Sequence, residues 1–142
     1  MSDAEQVVRT WFRRVWEEED TSAIDEMLRH DSSAKGFGAH TLVGPEQFKL
    51  MHAAMCALLT DTTVTFDKLM QQDDWVSILC TINAVSTKTG EPLTVTGTTW
   101  IRVADGKILE GYDHFDFLGL WAQLGFLPRN CFEQGLMGQQ IH

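Results

Sequence analysis

The sequence is poor in the features that announce several common classes of protein. Cysteine is scarce: Cys56, Cys80 and Cys131 stand far apart and are odd in number. They form no CxxC and no disulfide framework, so they read as reduced thiols. His30, His40, His52, His114 and His142 make no HExxH and no Cys/His cluster, and their spacing offers no zinc site. No metal ion is expected. GxGxxG, GxSxG and the GxxxxGK phosphate loop are absent. The glycines of Lys35-Gly36-Phe37-Gly38 lack the strand-to-helix grammar of a phosphate loop, which leaves nucleotide chemistry without support. Long apolar runs are missing too. The longest, Ala53–Leu59 (AAMCALL), is far short of the about 20 residues a bilayer requires. The N-terminal MSDAEQ is polar and acidic, unlike a signal peptide, so a cytoplasmic protein is expected. Basic charge is also short. There are 11 Lys+Arg against 20 Asp+Glu, a net charge of −9, which disfavours nucleic acid and anionic membrane as partners.

What is present fits one globular domain. The chain has 142 residues, 44% of them hydrophobic and 22% charged, enough to bury a real core. We expect a single domain over residues 1–142, with its core at about 4–128 and a Gln- and Gly-rich tail at 129–142, frayed or docked on a partner. Ser2 with Glu5 is a capping-box pair. Val7, Val8, Trp11, Phe12, Val15 and Trp16 then recur at helical spacing. Asp20 or Thr21 can cap a second helix whose inner face is Ile24, Met27 and Leu28. Residues 31–43 accumulate Ser and Gly and read as a loop with at most a short strand. Gly44-Pro45-Glu46 opens a third helix.

From residue 62 the hydrophobic period becomes two. Four long strands are expected at about 62–70, 75–85, 93–103 and 108–117, with Ala104-Asp105-Gly106-Lys107 as the clearest hairpin turn. A short helix follows at 118–124. Helices and strands are segregated, which means α+β. The expected architecture is a cone: N-terminal helices packed on a curved, mostly antiparallel sheet that encloses a pocket.

Pairing Val103 with Ile108 across the hairpin sets Ile101 opposite Glu110, Thr99 opposite Tyr112, and Gly97 opposite His114. Taken as inward, that face is apolar near the turn and polar further along, at Tyr112, His114 and Asp116. Three hydrogen-bonding side chains on an inward face need a wet pocket. The other reading is an exposed polar face near a sheet edge. A bulge would shift the register by one and bring Asp113 in instead. His114 and Asp116 share a side of the strand and can form an acid–base pair. A tight pair keeps the carboxylate ionised and raises the imidazole pKa. A dry, separated carboxyl would itself be raised, and lifting it from about 3.9 to near 7 takes about 4 kcal/mol of desolvation. Thr99, Ile101 and Glu110 would line this pocket. His40, in the Gly-rich loop, stands near its mouth or faces solvent. His52, on the core side of the third helix, suits a hydrogen-bonded structural histidine or, with Met55, a piece of the wall.

The run Asp105-Gly106-Lys107-Ile108-Leu109-Glu110-Gly111-Tyr112, then Asp116, then Gly119-Leu120-x-x-Gln123-Leu124-Gly125, resembles the C-terminal signature of SnoaL-like polyketide cyclases. These belong to the nuclear transport factor 2-like superfamily of cone-shaped α+β folds. Gly44-Pro45-Glu46-x-Phe48 is similar to the family's Gly-x-Glu pattern, and the element order matches over residues 4–128. The resemblance implies a cofactor-free, often dimeric protein with a hydrophobic pocket. In such cyclases a carboxylate just before the final Gly-Leu helix is the acid/base of an intramolecular aldol closure, and by position that residue is Asp116. Tyr112 stands where the family usually has Trp. The family's second polar partner on the preceding strand has no match among Thr96, Thr98 and Thr99, and His114 would stand in for it. The expected function is therefore acid/base chemistry (cyclisation, isomerisation or hydration) on a hydrophobic carbonyl substrate, with Asp116 as base, His114 as its partner and Tyr112 as donor to an oxyanion. A ligand-binding or dimerisation module on the same fold is the alternative. A homodimer would cover the outer sheet face at Trp100 and Thr94, Thr96 and Thr98.

Overall fold

The computed structural model describes residues 3–142, so the Ser2 cap lies outside the described residues. The N-terminal amphipathic segment forms α1 (Asp3–Trp11) and runs on as a π-helix over Phe12–Glu17. Asp20 caps α2 (Thr21–Met27) by accepting a hydrogen bond from the Ser22 amide at 3.1 Å, which satisfies one of the orphan donors of a helix start. Leu28, expected inside that helix, instead opens a strand.

Residues 31–43 are not a loop. They belong to β1 (Leu28–Gly36) and β2 (Gly38–Val43). Few β-formers occur there, and pairing supplies what propensity lacks: β1 lies antiparallel to β2 and parallel to β6. Pro45 sits in the first turn of α3 (Gly44–Leu58), and Gln47 reaches back to accept from the Val43 amide at 2.7 Å. The expected meander follows as β3 (Leu59–Gln72), β4 (Trp75–Ser86), β5 (Pro92–Ala104) and β6 (Lys107–Phe115). After it come α4 (Phe117–Gln123) and α5 (Cys131–Leu136). The segment expected as a tail thus contains a helix, which packs against α4 and buries Cys131.

The six strands form one curved sheet in the order β2-β1-β6-β5-β4-β3, antiparallel except between β1 and β6. The α+β cone expected from the sequence is the observed fold. Its core follows from strand alternation. Val76, Ile78 and Cys80 of β4 and Ile101 and Val103 of β5 point inward, against Val8, Trp11 and Phe48 of the helices. Burying each such aliphatic or aromatic side chain contributes about 1.5–3 kcal/mol. A second cluster, with Leu59, Leu93, Val95, Leu120 and Leu124, closes the other end beneath α4.

Candidate functional site

The β5–β6 ladder decides which side chains enter the cone. Val103 pairs with Ile108 as expected, but Arg102 pairs with Glu110, so one extra residue is inserted at Leu109. This bulge flips every later position. Ile101 faces Gly111, Thr99 faces Asp113, and Gly97 faces Phe115. Ile108 and Leu109 are both buried, as a bulge requires. Gly97 makes room for the Phe115 ring, which a Cβ at 97 would meet at 2.4 Å. It does not make room for His114.

The bulge brings Asp113 to the inner face. Its carboxyl borders a small chamber of about 30 Å³, whose apolar wall includes Trp11, Trp16, Phe37, Phe48, Ile101 and Ile108. That volume suits a single water. Asp113 keeps some accessible surface, consistent with facing this chamber, yet its carboxyl is desolvated. Burial pushes its pKa up to about 7, because a charge loses more than a neutral acid on leaving water. The Thr99 hydroxyl pulls weakly the other way, although its fully buried Oγ1 reaches no partner at hydrogen-bond distance. No other charged residue lines the chamber. Cys80, on the neighbouring strand, has its thiol pushed up to about 12, first by burial and then by Asp113 and Asp67; a thiol that protonated is no nucleophile.

The sequence expectation for Tyr112, His114 and Asp116 is corrected by the same register. Tyr112 and Glu110 point outward. Arg102 Nε donates to Glu110 Oε1 at 2.7 Å, and the Tyr112 hydroxyl donates to Glu110 Oε2 at 2.8 Å. Arg102 first, and Tyr112 after it, hold the Glu110 carboxyl below its usual range. Glu110 therefore lines no inner pocket. His114 is exposed and lies opposite Thr98 on that outer face. Asp116 lies past the end of β6 and is exposed. Its side chain accepts from the Gly119 amide at 2.9 Å and caps α4. The three groups do not converge.

Thr99 and Ile101 face inward as expected. His40 is exposed on β2. His52 is buried and structural: its Nε2 lies 2.7 Å from the Val15 carbonyl. Val15 belongs to the π-helical turn, and the ring nitrogen donates to its oxygen from α3. Met55 lines a wall, though not the expected one. It borders a groove of about 530 Å³ between α3, α4 and the β1–β2 turn. A third concavity, about 520 Å³, lies on the convex face around Trp75, Trp100 and Tyr112, far from the Asp113 carboxyl by strand parity. Among the described residues no group of three or more His, Cys, Asp or Glu is arranged to hold a metal ion. No helix among them is long and apolar enough to cross a membrane. Asp113 is the residue that inward parity alone had missed. The signal was in the sequence: two successive large apolar residues, Ile108 and Leu109, interrupt the alternation.

Solved structures share this architecture. A candidate SnoaL-like polyketide cyclase from Jannaschia sp. CCS1 superposes with a TM-score of 0.78 at 16% identity, covering 89% of this chain and 94% of that one. IdmH of Streptomyces antibioticus, a candidate polyketide cyclase, gives 0.74 at 20% identity over 87% and 99%. A protein of Catenulispora acidiphila with a ketosteroid isomerase-like fold, solved with trimethylamine, gives 0.73 at 22% identity over 84% and 92%. At such identities the likeness establishes the fold. A comparison with curated proteins finds no match. The sequence itself carries the family: the profile of SnoaL-like polyketide cyclases matches residues 6–124, from α1 through α4. The chain belongs to the SnoaL-like polyketide cyclase family.

Proposed function

We propose that this protein is a small-molecule enzyme that performs cofactor-free general acid/base chemistry on a hydrophobic, carbonyl-bearing substrate, with Asp113 as the proton-transfer group. Cyclisation, isomerisation and hydration all need such a step. The observation that carries the reading is a carboxyl at the cone's inner wall whose pKa of about 7 lets it take up and return a proton near neutral pH. A positioned group of matched pKa is worth about 10²–10⁴ in rate. Asp113 would remove a proton next to the substrate carbonyl as carboxylate, then deliver it as acid.

Exchange of α-hydrogens tests this without knowledge of the natural substrate. 2-Acetonaphthone is incubated with the protein in D₂O, and loss of the methyl proton signal is followed by NMR. Exchange should be accelerated, should rise with pH to a plateau above about 7, and should fall about 10²–10⁴-fold in Asp113→Asn. Equal exchange by the two proteins would remove Asp113 from the role. The second reading, a ligand-binding or assembly module, is favoured by the small chamber volume of about 30 Å³. It requires no acceleration in either protein. For the assembly we propose a homodimer through the outer sheet face.

A further inference from the structure

The concavity of about 520 Å³ on the convex face lies within the size range of small-molecule sites and takes no part in the chemistry of Asp113. Strand pairing builds it. Met70, Ser77, Trp100 and Tyr112 stand in one row across β3, β4, β5 and β6. Trp75, two residues before Ser77, points to the same side of β4. Ser77 is the small member of the row, so the rings of Trp75, Trp100 and Tyr112 stand as walls around it. Trp75 and Tyr112 stack, with centroids 6.2 Å apart and planes 28° apart. Trp100 is 49% exposed. The β3–β4 turn closes the remaining side with Gln71, Gln72 and Asp73.

We propose that this concavity binds an organic cation, a methylated ammonium whose nitrogen rests against the rings of Trp75, Trp100 and Tyr112, with Asp73 as its counter-charge. The site is separate from Asp113 and does not rest on the acid/base reading. Charge selects the sign of the ligand. Among the described residues, Asp73 is the one charged residue that lines the concavity, in a chain of net charge −9. Nearby Arg102 offers no uncompensated positive charge, since Glu110 pairs with it at 2.7 Å and Asp74 at 3.8 Å. An anion would meet repulsion from Asp73. The rings select the kind of cation. Their electron-rich faces attract positive charge, and the fold already shows this: Lys35 Nζ lies 5.9 Å from the Tyr112 ring centroid. Lys35 does not line the concavity. It comes from β1, whereas Trp75 comes from β4, on the other side of β6. A methylated nitrogen suits aromatic walls better than a primary ammonium does. The primary ammonium is strongly hydrated and would leave N–H donors without partners among the rings.

Choline and 3,3-dimethylbutan-1-ol test this, since the two share a shape and differ in charge. The readout is the indole N–H signals of the purified, ¹⁵N-labelled protein, assigned by replacing single tryptophans with phenylalanine. Ionic strength is held at about 0.02 M by exchanging sodium chloride for choline chloride, so that repulsion between chains keeps the face clear of a second copy. Choline should shift the Trp75 and Trp100 signals saturably and bind at least about tenfold more tightly than the alcohol. Trp100→Leu should weaken choline binding at least about tenfold, and Trp100→Phe, which keeps a ring, by less. Asp73→Asn should weaken it about threefold and keep the turn, because Asn tolerates the φ of 55° found there. Equal affinity for choline and the alcohol would overturn the cation assignment. Absence of a saturable shift would overturn the site, as would shifts confined to Trp11, Trp16 or Trp121, which border the chamber and the α3–α4 groove.

Discussion

Asp113 binds its proton more tightly in the folded chain than in the unfolded one, because its folded carboxyl is desolvated and titrates at about 7 against about 3.9 in an open chain. Between those two values the native state holds a proton that the unfolded state has released. The stabilising contribution is therefore complete below pH 4 and is lost as pH rises through about 7. The full difference is about 4 kcal/mol, an upper figure for a site that can admit water. Asp113→Asn should consequently be more stable than wild type at pH 8, by several kcal/mol at most, and the gap should close towards pH 4. Urea unfolding of both proteins at the two pH values measures it. A gap independent of pH would mean that the carboxyl is solvated. At this scale the sequence was only partly legible. Strand parity placed Thr99 and Ile101 correctly on the inner face, since β5 is regular through them. It failed one residue past Ile108, where alternation alone does not tell a buried Leu109 in a bulge from an outward one.

Among the elements, the helices and the four-stranded meander were readable because each buries one periodic face, and period is what a sequence displays. β1 and β2 were not. Their residues have weak strand propensity, and the pairing of β1 with β6, on which β2 then builds, is a tertiary fact. That pairing depends on a close approach. Gly36 at φ +111° lies against the backbone of Asp113, and a Cβ there would come within 1.7 Å of the Asp113 carbonyl oxygen. An L-side chain is strained at this φ, by about 1–3 kcal/mol, before any contact is counted. Gly36→Ala must in addition push β1 away from β6 at the residue that holds the acid. A loss of stability of at least about 3 kcal/mol is expected in urea unfolding. A variant as stable as wild type would show that the two strands lie further apart than the close approach at Gly36 implies.

For the molecule as a whole, the opposing influences on self-association can be weighed. A net charge of −9 per chain repels a second copy. The outer sheet face attracts one. The ladder registers set Met70, Ser77, Trp100 and Tyr112 side by side across four strands, with Met70 70% and Trp100 49% exposed and Leu79 exposed nearby. A contiguous exposed face of this kind usually meets a partner, and aromatic and Met residues are those enriched in interface cores. Because the repulsion is long-ranged and the apolar contact is not, salt should screen the former and leave the latter. The proposed homodimer should therefore form at micromolar concentration and tighten as ionic strength rises from 0.02 to about 0.3 M, where the screening length falls below about 8 Å. Trp100→Glu, which adds a charge at the centre of the face, should weaken it at least tenfold without altering the chamber on the opposite side of the sheet. Sedimentation velocity across both conditions is decisive. A wild-type monomer at every salt concentration would show that the exposed tryptophan serves something other than self-assembly.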